Sequence, residues 1–293
     1  MKRVLSFDIG GTNTRLALIN ERYEIEKVVI RPTIRNSPED FLESIASIIE
    51  EFDISKVACF GAGVPGVVDR STNEIITLPN VGISHIKIGE FIKERIKKDI
   101  YVRNDAETAC LAEAVLGKGK HYSRVFFITI STGIGGALAI DGKIQDYVTE
   151  IGHTAYLYKD IKTPKYVDYE YLTSGNGIVR LCKEHDFIVA DADEFFELVK
   201  QRNPNIMPIY NSWLKVLTDF IHLVQNSYHP EVITITGGVM KAKDIFFEDL
   251  KRLNPESNLV ECQFKEDAGL IGGAVYAFDM LKNDWFILFL RIY

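Results

Sequence analysis

One pattern occurs twice in this chain of 293 residues and constrains its fold more than any other feature. An apolar run, a turn of threonine and glycine, and a second apolar run stand at residues 8–19, as DIGGTNTRLALI, and again at residues 129–140, as TISTGIGGALAI. Two short apolar runs around such a turn predict a β-hairpin. The repetition predicts an internal structural duplication in which each half contains such a hairpin.

Around these hairpins the sequence alternates between strand patterns and helix patterns. Residues 37–49 begin with Ser-Pro-Glu-Asp and continue with apolar residues at helical spacing, which predicts a capped helix. Apolar residues recur every three or four positions from 206 to 224, which predicts a long helix with one buried face. Further strands are predicted at 3–8, 16–19, 27–30, 56–60, 100–103, 125–130, 231–236 and 259–263, and further helices at 106–116, 240–253 and 268–281. This order predicts an α/β fold, and the length indicates about two domains.

Composition argues against several classes of protein. With 34 basic and 41 acidic residues, the chain has a net charge of -7, which argues against a nucleic-acid binder. The cysteines lack the C-x-x-C spacing of zinc knuckles and redox motifs and fit a reducing cytoplasm; they are Cys59, Cys110, Cys182 and Cys262. The N-terminus does not read as a signal peptide, and the most apolar run, WFILFL at residues 285–290, is shorter than the ~20 residues of a membrane helix. We therefore expect a cytoplasmic protein without a membrane or nucleic-acid partner, and we assign no role to the apolar run.

Three glycine turns follow predicted strands, at residues 10–11, 133–136 and 237–238, and each has a threonine nearby: Thr12, Thr132 and Thr236. Glycine lets backbone N–H groups approach a phosphate closely, and threonine adds a hydroxyl donor. A single turn is explained equally well as a tight hairpin, whereas three favour a nucleotide site. None matches the Walker P-loop or the dinucleotide-binding G-x-G-x-x-G motif in its βαβ context.

Two aspartates stand at predicted strand ends beside these turns. Asp8 precedes the first turn, where a carboxylate is suited to hold Mg²⁺ through water, although it could also cap the hairpin turn. Asn104 and Asp105 lie between a strand and a helix, and a helix N-cap explains one of them. The other interpretation makes Asp105 the general base of phosphoryl transfer to an alcohol.

A third group of polar residues suits sugar hydroxyls. Glu150 and His153 follow the second glycine hairpin, and Glu170 comes seventeen positions after the histidine. Carboxylates and a neutral imidazole can accept hydrogen bonds from vicinal hydroxyls, although a lone histidine is more often structural. Asn80, in the sequence Leu-Pro-Asn, could bind a hydroxyl or form a turn.

Taken together, the segments DIGGTNTRLALI, GVPGVVD, LPN, VRNDAETACLAEA, TISTGIGG, EIGH and ITGGVM resemble the ROK family of sugar kinases, within the actin/hexokinase-type ATPase superfamily. Because the chain is small and lacks a long hexokinase insertion, it looks most like the archaeal ATP-dependent hexokinases of that family. The resemblance implies an α/β, ribonuclease H-like fold of two domains with a central cleft. A small domain would span residues 1–109 and receive a C-terminal helix from about 270–293, and a large domain would span 110–269.

The resemblance also implies a set of site residues, together with ATP and Mg²⁺ as cofactors. Asp105 would be the catalytic base, and Asp8 would hold Mg²⁺ through water. The first phosphate loop would contain Asp8, Gly11, Thr12 and Asn13; the second would contain Thr132, Gly133 and Gly135; Gly237 and Gly238 would meet the adenosine. The hexose would be bound by Gly66, Asn80, Asn104, Asp105, Glu150, His153 and Glu170.

One departure from the family bears on metals. Many members carry a C-x-C-G-x-x-G-C-x-E zinc motif after the histidine, but residues 153–170 contain no cysteine, so we expect no zinc. Some members are repressors with an added DNA-binding domain, and we expect none here because the first predicted strand begins three residues into the chain. The family suggests a homodimer.

The expected reaction is transfer of the ATP γ-phosphate to the 6-hydroxyl of a hexose. Glucose is the leading substrate, with broad acceptance that includes mannose, glucosamine and N-acetylglucosamine. One alternative is a kinase dedicated to N-acetylglucosamine or N-acetylmannosamine. Another, from a different class, is a sugar-sensing protein without catalysis.

Overall fold

The computed structural model describes residues 1–145, 150–159 and 164–292, with side chains described as far as residue 282 outside the gaps. The strands in these ranges are β1 (Arg3–Ile9), β2 (Asn13–Asn20), β3 (Ile25–Pro32), β4 (Val57–Val64), β5 (Val67–Asp69), β6 (Glu74–Leu78), β7 (Ile83–Ile86), β8 (Ile100–Asn104), β9 (Arg124–Ile130), β10 (Ile134–Ile140), β11 (Lys143–Ile144), β12 (Ala155–Tyr158), β13 (Lys165–Asp168), β14 (Val232–Thr236) and β15 (Leu259–Glu261). The helices there are α1 (Pro38–Ile49), α2 (Ile88–Arg95), α3 (Asp105–Val115), α4 (Tyr169–Thr173), α5 (Gly175–Glu184), α6 (Ala192–Lys200), α7 (Met207–Tyr228), α8 (Lys243–Leu253) and α9 (Ala268–Ile292).

The chain forms two compact units. Unit 1 comprises Met1–Leu116 together with Glu266–Tyr293, and unit 2 comprises Gly117–Lys265. Helix α3, which contains the residue-109 boundary expected from the sequence, lies wholly within unit 1.

The main sheet of unit 1 has the strand order β3-β2-β1-β4-β8. Strands β1, β4 and β8 are parallel, and β2 returns antiparallel to β1. The register pairs Asp8 with Gly63 and Val64 with Asn104, which brings these residues to the carboxyl edge of the parallel strands. In open α/β sheets, ligands bind at this edge.

Helix α1 shows the predicted capping at the start of unit 1. The Ser37 hydroxyl accepts a hydrogen bond from the Asp40 N–H at 3.0 Å, and Pro38 occupies the first turn, where a missing N–H costs nothing. The buried face of the helix then contributes Phe41, Ile45 and Ile49 to the core of the unit.

Helix α9 packs against β4 and α3 of unit 1 at positions occupied by glycine. A β-carbon added to Gly61 of β4 would lie 2.1 Å from the carbonyl oxygen of Gly273. One added to Gly272 would lie 1.6 Å from the carbonyl oxygen of Thr108 in α3. Only glycine therefore allows α9 to approach the strand and the helix this closely. The Ser6 hydroxyl of β1 also donates to the Leu270 carbonyl at 2.6 Å.

The main sheet of unit 2 has the order β11-β10-β9-β14-β15. Helix α7 covers it with the predicted apolar stripe, whose centre is the fully buried Trp213. The indole ring lies 5.0 Å from the Phe246 ring of α8 and 5.3 Å from the Phe196 ring of α6, both nearly perpendicular. Such edge-to-face aromatic contacts add stability beyond the area that they bury.

The two main sheets confirm the predicted internal duplication. In unit 1 the hairpin β1–β2 has an antiparallel strand on its outer side and parallel strands on its inner side. In unit 2 the hairpin β9–β10 has the same neighbours: antiparallel β11 outside and parallel β14 inside. The repeated sequence pattern thus builds the same strand order twice.

Some predicted elements differ in extent. The helix predicted at 240–253 is a 3₁₀ turn, Gly238–Ala242, followed by α8, and Gly237 precedes the turn with φ of 107°. Helix α9 extends to Ile292, beyond the predicted end at 281. The sequence analysis missed the three-stranded sheet β5-β6-β7 and the hairpin β12–β13.

The C-terminal apolar run belongs to α9, but the side chains at 285–290 lie outside the described part of the chain. Of the helices that the structure describes, none has the length and apolar character needed to traverse a bilayer. The four cysteines are buried and form no disulfide.

Candidate active site

The first glycine turn joins β1 to β2 in unit 1. The Gly10 N–H donates to the Asn13 carbonyl at 2.8 Å, and the Thr33 N–H donates to the Thr12 carbonyl at 2.9 Å, which fixes the turn. A β-carbon added to Gly11 would lie 3.0 Å from the β-carbon of Asn80, so the two turns are in close contact. The side chains of Thr12, Asn13 and Asn80 are exposed. The residues predicted for the first phosphate loop therefore lie together with Asn80.

Asp8 stands at the end of β1 in a strongly charged environment. Its carboxylate lies 3.5 Å from the guanidinium of Arg15, which also contacts Asp267. Burial raises the pKa of Asp8 to about 6; the Arg15 charge opposes the rise, and the charges of Asp105 and Asp267 add to it. A carboxylate close to two others is one that a cation would stabilise in its charged form.

Asn104 and Asp105 lie where β8 meets α3, and the structure separates their roles. Asn104 is the N-cap: its side-chain oxygen accepts from the Ala106 N–H at 2.9 Å. Asp105 is the first residue of the helix, and its Oδ1 also lies 2.9 Å from the same N–H. The Asp105 carboxylate is thus held half-buried at the start of the helix.

Gly66 contacts this cap from the segment that follows β4. Its carbonyl accepts a hydrogen bond from the Asn104 amide at 3.2 Å. A β-carbon added to Gly66 would lie 1.9 Å from the Thr77 carbonyl oxygen, so no side chain fits there. Gly66 therefore orients Asn104 beside Asp105.

The second glycine turn joins β9 to β10 in unit 2, and Ser131 organises it. Its N–H donates to the Gly133 carbonyl at 2.8 Å, and its carbonyl accepts from the Gly175 N–H at 2.6 Å. Its hydroxyl accepts from the Gly238 N–H at 3.4 Å. Ser131 thus connects the second glycine turn to the third, while the Thr132 side chain is exposed. Sequence reasoning passed over this serine, although it stands inside the motif TISTGIGG.

The third glycine turn follows β14. Gly237 has φ of 107°, and a β-carbon there would lie 2.3 Å from the Ile130 carbonyl oxygen. Gly238 is exposed, and a β-carbon added to it would meet nothing within 4 Å. Gly237 thus has a conformation and a close backbone contact that only glycine allows, and Gly238 follows it at the surface.

Glu170, on α4, contacts the second glycine turn through its carboxylate. Its Oε2 accepts a hydrogen bond from the Ile134 N–H at 2.8 Å. A β-carbon added to Gly133 would lie 2.6 Å from that same oxygen. Glu170 is therefore in contact with the second glycine turn, which contains Thr132 and Gly133. Gly135 of β10 follows this turn in the sequence.

His153 lies at the end of the 3₁₀ turn Ile151–His153, and Glu150 is the exposed residue before that turn. The His153 Nδ1 is 3.0 Å from Oδ2 of Asp168. The hydrogen bond to Asp168 is the main reason that the pKa of His153 is raised; burial opposes the rise, and the charges of Glu170, Asp168 and Glu150 add to it. Sequence reasoning did not identify Asp168, whose only local signal was its position as the N-cap of α4.

The structure divides the candidate residues between the two units. Unit 1 contains Asp8, Gly11, Thr12, Asn13, Gly66, Asn80, Asn104 and Asp105. Unit 2 contains Thr132, Gly133, Gly135, Glu150, His153, Glu170, Gly237 and Gly238. Within each unit the candidates gather around the glycine turns and the adjoining helix starts.

The carboxylate of Asp8 suits Mg²⁺ that keeps water ligands better than it suits a metal ion ligated by protein side chains alone. Among the side chains that the structure describes, no three histidines, cysteines or acids are grouped to hold a metal ion. Mg²⁺ usually keeps several waters and binds one or two carboxylates together with substrate phosphates. Asp8 beside a phosphate-type turn fits that arrangement.

Comparison with known proteins identifies the family. The ROK family model matches residues 4–279. A glucokinase from Thermotoga maritima is 26% identical over 93% of this chain and 96% of its own. An N-acetyl-D-glucosamine kinase from Haemophilus influenzae is 26% identical over 85% of this chain and 88% of its own. Among solved structures, a ROK hexokinase from Thermus thermophilus superposes with a TM-score of 0.82 at 23% identity, covering 96% of this chain and 99% of that one.

This structural likeness confirms the predicted α/β fold of the actin/hexokinase-type ATPases. The chain belongs to the ROK family. The narrower likeness to archaeal hexokinases stays a prediction, because the relatives named here are bacterial.

Proposed function

We propose that this chain, an ATP-dependent sugar kinase, transfers the γ-phosphoryl group of ATP to the 6-hydroxyl of a hexose, with Asp105 as the general base. One observation carries the assignment of Asp105. Its carboxylate is half-buried at the carboxyl edge of the unit 1 sheet, beside an asparagine that Gly66 orients. In phosphoryl transfer, such a carboxylate orients the attacking hydroxyl and accepts its proton late in the reaction.

The glycine turns supply the phosphate contacts in this proposal. The residues that would donate to phosphate oxygens are Gly11, Thr12, Asn13, Thr132, Gly133 and Gly135. Gly237 and Gly238 would contact the adenosine. Asp8 would hold Mg²⁺ through water. The bound ion would neutralise charge that develops on the phosphoryl oxygens.

The remaining polar residues would bind the sugar. The residues that would contact it are Gly66, Asn80, Asn104, Glu150, His153 and Glu170. Acidic oxygens and a neutral imidazole nitrogen accept hydrogen bonds from hydroxyls, so they discriminate sugars by the orientation of those hydroxyls.

We propose glucose as the preferred substrate, with other hexoses accepted. The named glucokinase relative supports glucose, whereas the N-acetylglucosamine kinase relative, which is equally identical, supports the alternative of a dedicated amino-sugar kinase. A homodimer is proposed from the family resemblance alone, and sedimentation velocity at several concentrations tests it.

A sugar panel with ATP and Mg²⁺ tests the proposed function. ADP release would be measured with glucose, mannose, glucosamine, N-acetylglucosamine and N-acetylmannosamine, and NMR would locate the phosphorylated carbon. We expect turnover on glucose with phosphate on carbon 6. Turnover confined to the N-acetylated sugars would support the dedicated kinase, and sugar binding without ADP release from any sugar would support the sensor.

A further inference from the structure

A single carboxylate in unit 2 connects two of the proposed sugar ligands. Asp168 is the last residue of β13 and the N-cap of α4. Its Oδ1 accepts from the Tyr171 N–H at 2.7 Å, while its Oδ2 lies 3.0 Å from Nδ1 of His153. Each oxygen therefore has a different partner, and each partner belongs to an element that carries a proposed sugar ligand.

The contact with Asp168 determines which nitrogen of His153 carries the proton. A carboxylate only accepts hydrogen bonds, so Nδ1 must carry a proton to bond with it. In the neutral ring, Nε2 then has a free lone pair and can accept a hydrogen bond from a hydroxyl. The imidazole remains accessible to a ligand, since 53% of the His153 side chain is exposed.

The contact with Tyr171 fixes the helix turn that carries Glu170. An aspartate at the N-cap satisfies an N–H group that the helix itself leaves without a partner. Glu170 is the second residue of this helix, and its Oε2 accepts from Ile134 beside the second glycine turn. Loss of the cap would therefore release the start of the helix from which the Glu170 carboxylate extends.

The strand pairing fixes Asp168 itself. The hairpin β12–β13 pairs Ala155 with Asp168, and His153 stands two residues before Ala155. The backbone therefore holds the histidine and the carboxylate close together independently of any bound molecule.

We propose that Asp168 is a positioning residue for sugar binding: it keeps the His153 proton on Nδ1, so that Nε2 accepts from a sugar hydroxyl, and it anchors the helix turn of Glu170. This inference rests on the proposed function, in which both His153 and Glu170 bind the hexose. Asp168 itself touches neither substrate nor nucleotide in this proposal.

The variant Asp168→Asn separates the two tasks. An asparagine can still cap α4 with its side-chain oxygen. Its remaining group is an N–H donor, which would face Nδ1 of His153 and favour the opposite tautomer, with the proton on Nε2. We expect the KM for glucose to rise ~3- to 10-fold, the range for losing a hydrogen bond between neutral groups, while the KM for ATP changes less than about twofold.

Asp191→Asn is the matched control. Asp191 is the exposed N-cap of α6 and accepts from the Glu194 N–H at 2.9 Å, as Asp168 does at its own helix. The same chemical change there should leave both KM values as in the wild type. An equal effect of the two substitutions on glucose KM would reduce Asp168 to an ordinary helix cap and overturn the proposal.

Nitrogen NMR of the His153 ring provides a readout that a purely structural role would not move. In the wild type, the neutral ring should carry its proton on Nδ1. In Asp168→Asn it should carry the proton on Nε2 and should titrate at lower pH, because the main cause of its raised pKa is gone. An unchanged tautomer with an unchanged glucose KM would overturn the proposal.

A double-variant cycle tests whether the effect passes through His153. If it does, adding Asp168→Asn to His153→Ala should change glucose KM less than about twofold, since interacting residues are not additive. Full additivity would contradict the proposal. The outcomes also separate the two proposals: a wild type inactive on every hexose refutes the proposed function, whereas an active wild type with an indifferent Asp168→Asn refutes only this inference.

Discussion

Replacing Gly133 by alanine tests the contact between Glu170 and the second glycine turn. The added β-carbon would lie 2.6 Å from Glu170 Oε2, roughly 0.8 Å closer than the 3.4 Å at which ordinary van der Waals contact begins. The carboxylate lies at the end of a side chain with three rotatable bonds, so it can move away. We therefore expect the fold to accept the alanine and the carboxylate to leave its place.

The cost of that movement follows from the bond that it breaks. Oε2 accepts from the Ile134 N–H at 2.8 Å, and a displacement of this size removes the bond. In the proposed function the displaced carboxylate also loses its hydrogen bond with the sugar. A hydrogen bond to a charged group contributes about 1.5–3 kcal/mol, and the lower part of that range applies because Glu170 is only half-buried. At about 1.4 kcal/mol for each factor of ten, glucose KM should rise ~10- to 30-fold.

Steady-state kinetics on Gly133→Ala, with glucose and ATP varied separately, measures this effect. Because the proposed cause is the clash with one side chain, the same substitution in a Glu170→Ala background should add little to the glucose KM. Circular dichroism melting checks that the fold is retained. If Gly133→Ala raised the glucose KM equally with and without the Glu170 carboxylate, the reasoning from this contact would be refuted.

Three further outcomes are expected. Asp105→Asn keeps the shape of the side chain but removes its basicity, so kcat should fall ~10²- to 10⁴-fold with KM values nearly unchanged; a kcat near that of the wild type would exclude Asp105 as the base. Gly61→Ala places a carbon 2.1 Å from the Gly273 carbonyl oxygen, so urea unfolding should show a loss of about 3 kcal/mol or more; an unchanged midpoint would contradict the close approach of α9. The pKa of Asp8 is about 6 in the folded protein against an ordinary 3.8, so the folded state binds the Asp8 proton more tightly than the unfolded state does. This tighter binding stabilises the fold at low pH, and the stabilisation is lost as pH rises from about 4 to 6. In urea unfolding without magnesium, that loss should be smaller in Asp8→Asn, and an identical pH dependence in both proteins would argue against the shift.

The repeated hairpin could be predicted because its signal is local. Alternating apolar residues around a glycine turn specify the pairing of Asp8 with Arg15 within eight residues of chain. The helices with a clear apolar stripe, such as α7, were predicted for the same reason. Strands β5 and β13 have three and four residues, and each ends in an aspartate, so neither contains an apolar run long enough to indicate a strand, and the small sheets escaped prediction.

The charged partners of the site were not predictable, because they depend on distant parts of the chain. Asp267 meets Arg15 across more than 250 residues, and nothing near either residue indicates the contact. Asp168 reaches His153 only because the register of β12 and β13 brings them together. The motifs thus identified which residues carry chemistry, while the residues that orient them required the structure.

The discontinuity of unit 1 has a consequence for synthesis on the ribosome. Unit 2 is a continuous stretch that can complete its core as soon as residue 265 has emerged. Unit 1 cannot, because β4 and α3 lack the helix that packs against them until the residues of α9 have been made. Synthesis of unit 1 therefore begins before that of unit 2 but is completed after it. Until α9 has been made, the main sheet of unit 1 must stay soluble without the helix that packs against it.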